Sequence, residues 1–218
     1  MIADNYIIDI DNNKYPCVLI GDKLWMSTNL NVSRFNNGDK MLEAKTNEEW
    51  VFAFENGLPA YCYYNNDQNN QTELGKLYNY HAINDIRGLA PNNSIIPSEV
   101  VFNQLINEFG GKWDCERKLK SKDSWREYEE FDENGNLTGQ QVKGNGSNES
   151  GFNGKPSGCR LDDGSFVGIG EEGVWWSSTV GEYLMVFYHI NSATITVETD
   201  AGVGMSVRCY KNLKNNDK

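Results

Sequence analysis

Few side chains in this sequence could carry out acid–base or metal chemistry. Its two histidines are His81 and His189, and neither stands beside a serine or cysteine in a recognisable nucleophile motif. His81 falls on the apolar face of a predicted helix, where a core role is more common than that of a general base. Two histidines also exclude a three-histidine metal site. These residues predict a chain that is not an enzyme.

The five cysteines are widely spaced and form no C-x-x-C pair. This spacing is unlike a zinc knuckle or a thioredoxin-like motif, and an odd number leaves at least one thiol free. A chain of 218 residues does not need a disulfide framework for its stability. The cysteines are Cys17, Cys62, Cys115, Cys159 and Cys209.

Two triplets of Asp and Asn are spaced like the start of an oxygen-ligand loop. Neither has the glycine or the bidentate glutamate that an EF-hand loop needs further along. Both are better interpreted as Asx turns, in which the side chain binds nearby backbone. We predict no cofactor, while calcium held by scattered oxygens stays open as an alternative. The triplets are Asp9, Asp11 and Asn13, and Asp132, Asn134 and Asn136.

Composition and charge narrow the class of partner. The net charge is −11 and the sequence pI about 4.7, so phosphate backbones and anionic membranes should repel this chain. No apolar run is long enough to span a membrane. We therefore expect no nucleic acid and no membrane insertion. The remaining partners are a protein or a carbohydrate, and aromatic residues, at 12 % of the chain, indicate a folded domain.

The first half of the chain predicts a β-hairpin followed by helices. An apolar run and a short second strand flank Gly21 and Asp22, which suits a tight turn. Thr46 and Glu49 have the spacing of a capping box, and Ser98 can cap a later helix. The predicted elements are strands over 15–20 and 24–26 and helices over 46–57, 74–83 and 98–109.

The second half predicts a polar arm and then antiparallel strands. Tyr128 and Phe131 precede a predicted hairpin turn at Asn134-Gly135, and Leu137 follows it. These three apolar residues make residues 123–147 a candidate partner arm inserted in a single domain, 1–218. Predicted strands cover 174–179, 183–190, 194–199 and 205–210. Strands, then helices, then antiparallel strands indicate an α+β fold.

Ordered blocks of residues resemble the Fibrobacter succinogenes major paralogous domain (FISUMP). They occur in the family's order over nearly the whole chain. The resemblance implies a C-type-lectin-like fold related to sulfatase-modifying-factor-like domains, with two or three short helices on small antiparallel sheets, long loops and a β-rich C-terminal region. The blocks are 21–30 and 34–38, 61–67 and 75–82, 96–99, 148–152 and 163–166, and 175–179 and 206–209.

Two departures from the family pattern stand out. Ala90 occupies the position of a family cysteine, so Cys209 lacks its partner if the family pairs those two positions. The arm is longer than the usual connection, either as a partner-specific addition or as a neutral insertion. Related sulfatase-modifying enzymes hold copper with a close pair of cysteines, and no such pair is evident here.

The resemblance places the ligand face on the C-terminal strands. Trp175 and Trp176 are adjacent in a strand, so at least one faces the core, and we interpret both as mainly structural. Mixed tyrosine, threonine and asparagine side chains on the later strands make an adaptable surface. The predicted ligand-binding residues are Tyr183, Tyr188, Asn191, Thr194, Thr196 and Glu198.

These observations favour a non-catalytic ligand-binding or adhesion module. The first alternative is a structural or assembly module whose arm docks a neighbouring domain or subunit. A more remote one is a metal-dependent enzyme related to sulfatase-modifying factors. The printed sequence shows no export signal, which suits a cytoplasmic protein if the chain is complete. A secreted or cell-surface location, usual for Bacteroidetes-type members of the family, applies if a leader was removed.

Overall fold

A computed structural model describes residues 6–132, 134, 136–179, 184–188, 192–196 and 202–213, with the backbone alone for residues 71, 184–188 and 192–196. The helices are α1 (Asn47–Glu55), α2 (Gln71–Leu74), α3 (Tyr80–Ile83), α4 (Glu99–Glu108) and α5 (Cys115–Leu119). The strands are β1 (Tyr6–Ile8), β2 (Lys14–Ile20), β3 (Lys23–Met26), β4 (Leu42–Glu43), β5 (Ala60–Cys62), β6 (Leu77–Tyr78), β7 (Tyr128–Phe131), β8 (Leu137–Val142), β9 (Ser157–Arg160), β10 (Phe166–Ile169), β11 (Glu172–Trp176), β12 (Leu184–Tyr188), β13 (Ser192–Thr196) and β14 (Tyr210–Asn212).

The strands form small sheets, so the predicted α+β class is confirmed. The largest has the order β1-β2-β3-β14, so the last described strand pairs with β3 of the N-terminal hairpin. The others are β4-β5-β6, β9-β10, β11-β12-β13 and the arm pair β7-β8. All pairs are antiparallel except β4 with β5. No helix in the described part of the chain is long and apolar enough to cross a membrane.

The predicted N-terminal hairpin and the two longer helices form where their local signals lie. Gly21 has a φ of 59°, which suits the tight turn between β2 and β3. Thr46 and Glu49 make the full capping box of α1, and Ser98 caps α4. The apolar stripe of α4 packs beside the hairpin's Trp25 in one core cluster. That stripe consists of Phe102, Leu105 and Ile106.

The single helix predicted over 74–83 is wrong. The chain forms α2, β6 and α3 there, because Gly75 has a φ of 73° and interrupts the helix. A Cβ at Gly75 would lie 2.8 Å from the Leu30 carbonyl oxygen, so the backbones approach too closely for another residue. The helical spacing of the apolar side chains therefore arises from a turn, a two-residue strand and a second turn.

The C-terminal strands follow the prediction in part. β12 and β13 pair in antiparallel register, as the sequence indicated, whereas residues 204–206 do not continue one strand to Tyr210. Instead Gly204, Met205 and Ser206 form isolated bridges to three different segments. A segment shared among several neighbours cannot pair along one of them, so the closing strand, β14, begins only at Tyr210.

Both indoles of β11 are fully buried, on opposite sides of the strand. Trp175 belongs to the cluster that contains Trp25 and Phe102, and Trp176 belongs to the larger cluster around Tyr78. The Trp176 Nε1 donates to the Tyr78 carbonyl at 2.7 Å. Neither ring is accessible to a sugar, so the structural interpretation of this pair is confirmed.

A buried arginine in the C-terminal segment connects that segment to β3, to the loop after β3 and, through Asn29, to β11. Arg208 is fully buried and donates to the Asn29 Oδ1 from Nε and Nη2, at 3.1 and 2.5 Å. The same Oδ1 accepts the Trp175 Nε1 at 2.8 Å. Arg208 also donates to the carbonyls of Met26 and Phe152, and burial lowers its pKa. Carbonyl dipoles and aromatic faces, rather than a carboxylate, balance this charge in the described residues.

Two further cations are buried in the same manner. Arg160 donates to the carbonyls of Gly164, Ala44 and Thr46 and lies over the Trp50 ring. Lys76 donates to the Asn31 carbonyl at 2.9 Å and the Ser33 hydroxyl at 2.5 Å, above the rings of Tyr61 and Tyr63.

Lys120 is the buried cation with a carboxylate partner. Its Nζ lies 2.6 Å from the Glu116 Oε1, within the turn that ends α5. Burial raises the pKa of Glu116 and lowers that of Lys120, while their mutual attraction opposes both changes. The pair therefore fixes α5 against the core at the expense of two desolvated charges.

We expect Asn29→Leu to lower the free energy of unfolding by about 3–5 kcal/mol, because it leaves the buried Arg208 charge without its side-chain acceptor. Urea unfolding followed by circular dichroism measures this loss. The exposed Asn92→Leu is the matched control and should change stability by less than about 0.5 kcal/mol. Similar losses for the two variants would contradict the role given to Asn29.

Lys76 should make stability depend on pH in the alkaline range. Burial lowers its pKa from an ordinary 10.5 to about 8. Between these values the unfolded chain binds more protons than the folded chain, so the free energy of unfolding rises with pH. We expect the wild type to gain stability relative to Lys76→Met from about pH 7.5 to about pH 9.5, below the range where unfolded tyrosines ionise. A pH-independent difference between the two proteins in urea titrations would rule this out.

Candidate binding surfaces

The structure describes three of the six predicted ligand-binding positions. Tyr188 lies at the end of β12, and Thr194 and Thr196 lie on β13. The register puts these three on one face of the sheet, the face that also carries Val174 and Trp176 of β11. The other three positions, Tyr183, Asn191 and Glu198, lie outside the described residues. The ligand-binding role of the six stays a prediction.

The candidate partner arm is a two-stranded hairpin, β7 with β8. Phe131 and Leu137 are direct cross-strand partners and both are exposed, while Tyr128 is half-buried near the base. The Asp132 Oδ1 accepts the backbone N–H groups of Asn134 and Asn136, which forms the predicted Asx turn at the tip. The arm thus presents a small apolar pair at its end.

The N-terminal triplet also forms the Asx turn that the sequence indicated. The Asp9 Oδ1 accepts the N–H groups of Asp11 and Asn13, and its Oδ2 accepts the Tyr15 hydroxyl at 2.5 Å. Asp11 in turn binds the Ser33 N–H and the Arg34 guanidinium. The described residues contain no group of three or more His, Cys, Asp or Glu placed to hold a metal ion.

The thiols and the described histidine lie apart from any reactive arrangement. All five cysteines are free, and burial raises the pKa of four of them to about 12, so these thiols are protonated at neutral pH. Cys209 is fully buried in the largest core cluster, and Ala90 packs against that cluster. His81 is half-buried rather than a core residue, and its Nε2 has no hydrogen-bond partner in the described part.

An apolar groove of about 580 Å³, here called the Phe52 groove, lies between α1 and the segments around β4. Phe52 projects from the solvent side of α1 and is 54 % exposed, and Leu42 and Leu58 are exposed beside it. Phe35 and Met41 form its buried floor. The remaining lining residues are Lys40, Glu48, Glu49, Pro59 and Arg87.

One wall of the Phe52 groove is held by a network of charges. The Arg87 guanidinium lies 4.1 Å from the centre of the Phe35 ring and donates to both carboxylate oxygens of Asp85 at 2.8 Å. A third donor reaches Asp39 at 3.1 Å. Arg87 holds the pKa of Asp85 below its usual range, and Asn37 together with Arg87 does so for Asp39. The wall is therefore in place before any ligand arrives.

A second concavity of about 560 Å³, here called the Trp113 cleft, lies beside α5. Its wall includes an exposed indole, and the rest of its lining is polar. Sequence reasoning missed this site, although a tryptophan among charged residues just after Gly110-Gly111 was a usable signal. Sequence reasoning also missed the Phe52 groove. The signal there was that Phe52 does not lie on the apolar face of the predicted helix. The polar lining residues are Asp114, Glu116, Arg117, Lys118, Ser147 and Glu149.

Comparison with known proteins identifies the family. No curated protein and no solved structure matches the chain. The model of the family described as Fibrobacter succinogenes major domain matches residues 18–211. This range covers most of the sequence and includes the residues that line both the Phe52 groove and the Trp113 cleft. The earlier resemblance is thus confirmed, and the chain belongs to the Fibrobacter succinogenes major domain family.

Proposed function

We propose that this chain is a non-catalytic binding or adhesion module of C-type-lectin-like fold, whose Phe52 groove takes an apolar side chain of a protein ligand. Two features support the fold proposal. The first and last strands of the core share a sheet, and the two longest helices pack with small sheets and long loops. Short helices, small sheets and long loops are the traits that the family resemblance implies.

The Phe52 groove itself carries the functional proposal. Ligand sites are usually concavities of about 300–1,000 Å³ that are mostly apolar with a few placed polar groups. Here a volume of about 580 Å³ is bounded by aromatic and aliphatic side chains, with charged groups at the rim. Leaving such side chains in water is unfavourable, so covering them supplies binding free energy.

The lining favours a protein over a carbohydrate in this groove. A sugar would bring hydroxyl groups against Phe52, Leu42 and Leu58, where they would lose hydrogen bonds to water without replacement. An aromatic or branched aliphatic side chain needs no such partner. The rim carries Lys40 and Arg87 together with Glu48 and Glu49, so it can select the charges that flank the inserted group.

Two observations support a module without catalytic activity. The described thiols that are fully buried are held protonated by their surroundings, which makes them poor nucleophiles and poor copper ligands. The Phe52 groove contains no histidine, cysteine or serine. Two of its charged groups are engaged within the protein, since Arg87 positions the wall and Glu49 takes part in capping α1.

The exposed pair at the arm tip favours one alternative, an assembly module. Phe131 and Leu137 lie opposite each other in a sheet that has two strands in the described residues, so each strand of the arm forms a sheet edge. Such an edge can add a strand from a partner. The arm is distant in sequence from the Phe52 groove, so substitutions separate the two functions.

We expect peptides selected by display against the full chain to carry aromatic or branched aliphatic residues. Phe52→Glu should weaken their binding at least about tenfold, because it places a charge where an apolar anchor is buried. Isothermal titration calorimetry measures the affinity. Phe52 is exposed and glutamate is a good helix former, so the variant should keep its stability within about 0.5 kcal/mol.

Val100→Glu supplies the matched control. Val100 is also an exposed apolar residue on a helix, at 63 %, and it does not line the groove. Unchanged binding by Phe52→Glu would refute the groove as the binding surface. If Phe131→Glu alone abolished binding, the assembly function of the arm would replace the proposal.

A further inference from the structure

Trp113 is the exposed tryptophan of this protein. It is 76 % exposed, whereas each of the other five is at most 4 % exposed. A single exposed apolar side chain needs no explanation by itself. Trp113, however, forms the wall of a cleft whose other side chains are charged or hydroxylated.

The turn between α4 and α5 holds the indole outward. Gly110 and Gly111 both have left-handed φ values, of 105° and 82°, and end α4. The Gly111 carbonyl then accepts the N–H groups of Asp114 and Cys115, and Cys115 is buried in the core. With Cys115 anchored on the inside, the backbone geometry leaves Trp113 on the outer side of the turn.

The opposite wall is a loop attached to the end of α5. The N–H groups of Ser147 and Ser150 donate to the carbonyls of Arg117 and Lys118, at 2.6 and 3.1 Å. Gly146 permits this contact, because a Cβ there would lie 2.6 Å from the Arg117 carbonyl oxygen. The last carbonyl groups of a helix have no partners within the helix, and here the loop supplies N–H donors for them. These hydrogen bonds also fix the position of Ser147 and Glu149.

Three charged groups of the Trp113 cleft are available to a ligand. Asp114, Arg117 and Glu149 are exposed, and within the described residues their side chains make no hydrogen bond or ion pair. Lys118 donates to the Phe109 carbonyl at 3.1 Å. The third carboxylate of the lining, Glu116, is paired with the buried Lys120. The other two, Asp114 and Glu149, balance Arg117 and Lys118, so the unpaired part of the lining has no dominant sign.

We propose that the Trp113 cleft binds a neutral oligosaccharide. The apolar face of a pyranose ring can stack on the indole, which offers a large, rigid apolar surface. Sugar hydroxyls both donate and accept, so they satisfy the carboxylates of Asp114 and Glu149 and the guanidinium of Arg117 together. An anionic ligand would meet the carboxylates, and a cationic ligand would meet Arg117 and Lys118. The site and the ligand class differ from those of the Phe52 groove.

A printed glycan array tests the proposal with the full chain labelled by a fluorophore. The array carries neutral β-linked gluco-, xylo-, manno- and galacto-oligosaccharides, with sialylated and sulfated glycans as an acidic set. We expect binding among the neutral glycans. The neutral glycan that binds best should protect the fluorescence of Trp113 in the wild type from quenching by acrylamide. The other tryptophans are buried, so they contribute little to the quenching signal.

Calorimetry with the same glycan then compares variants. Trp113→Ala should weaken binding at least about tenfold, as expected when an aromatic anchor is truncated. Glu149→Gln should weaken it less, and both should unfold at the wild-type urea concentration, since neither side chain is buried. Val100→Glu is the control and should bind the glycan like the wild type, because Val100 is exposed but does not line the cleft.

Three results would overturn the proposal: no glycan bound, acidic glycans alone bound, or equal affinity in Trp113→Ala. Because the Trp113 cleft and the Phe52 groove share no lining residue, failure of one proposal leaves the other standing.

Discussion

The hydrogen bonds of Asn29 hold this fold together. Its Oδ1 accepts from Arg208 and from Trp175, while its Nδ2 donates to the Leu74 carbonyl and the Ser206 hydroxyl. One amide therefore joins the loop after β3, the end of α2, the strand β11 and the C-terminal segment. Since the Arg208 charge cannot be left in the core without acceptors, this arrangement permits few alternatives.

The two surfaces proposed to bind ligands, the Phe52 groove and the Trp113 cleft, each lie next to one of the other buried cations. Arg160 binds the carbonyls of Ala44 and Thr46 and packs on Trp50, so it attaches the start of α1 to the core and places Phe52 at the surface. Lys120, paired with Glu116, does the same for α5 beneath the Trp113 cleft. The backbone that carries both sites is therefore attached to the core from inside.

Local signals in the sequence were sufficient for some elements and insufficient for the sites. Thr46, Glu49 and Ser98 act within one helical turn, so the helix starts could be predicted. Gly75 could not be interpreted correctly, because its backbone conformation follows from a close contact with Leu30, distant in sequence. Whether Phe52 and Trp113 are exposed depends on which neighbouring segments pack against them. The tertiary structure determines this exposure, and the periodic spacing of apolar residues in the sequence does not reveal it.

The inward placement of cations also affects how partners approach. Lys76, Lys120, Arg160 and Arg208 are buried, whereas Asp9 and Glu116 are the buried carboxylates among the described residues. Among the described residues, the solvent-facing surface is consequently more negative than their own formal charge, and the whole chain already carries a formal charge of −11. A long-range field of this sign accelerates encounters with basic partners and slows encounters with acidic ones. Raising the ionic strength shortens its reach to about 8 Å at physiological salt, so association rates rather than dissociation rates should change most with salt.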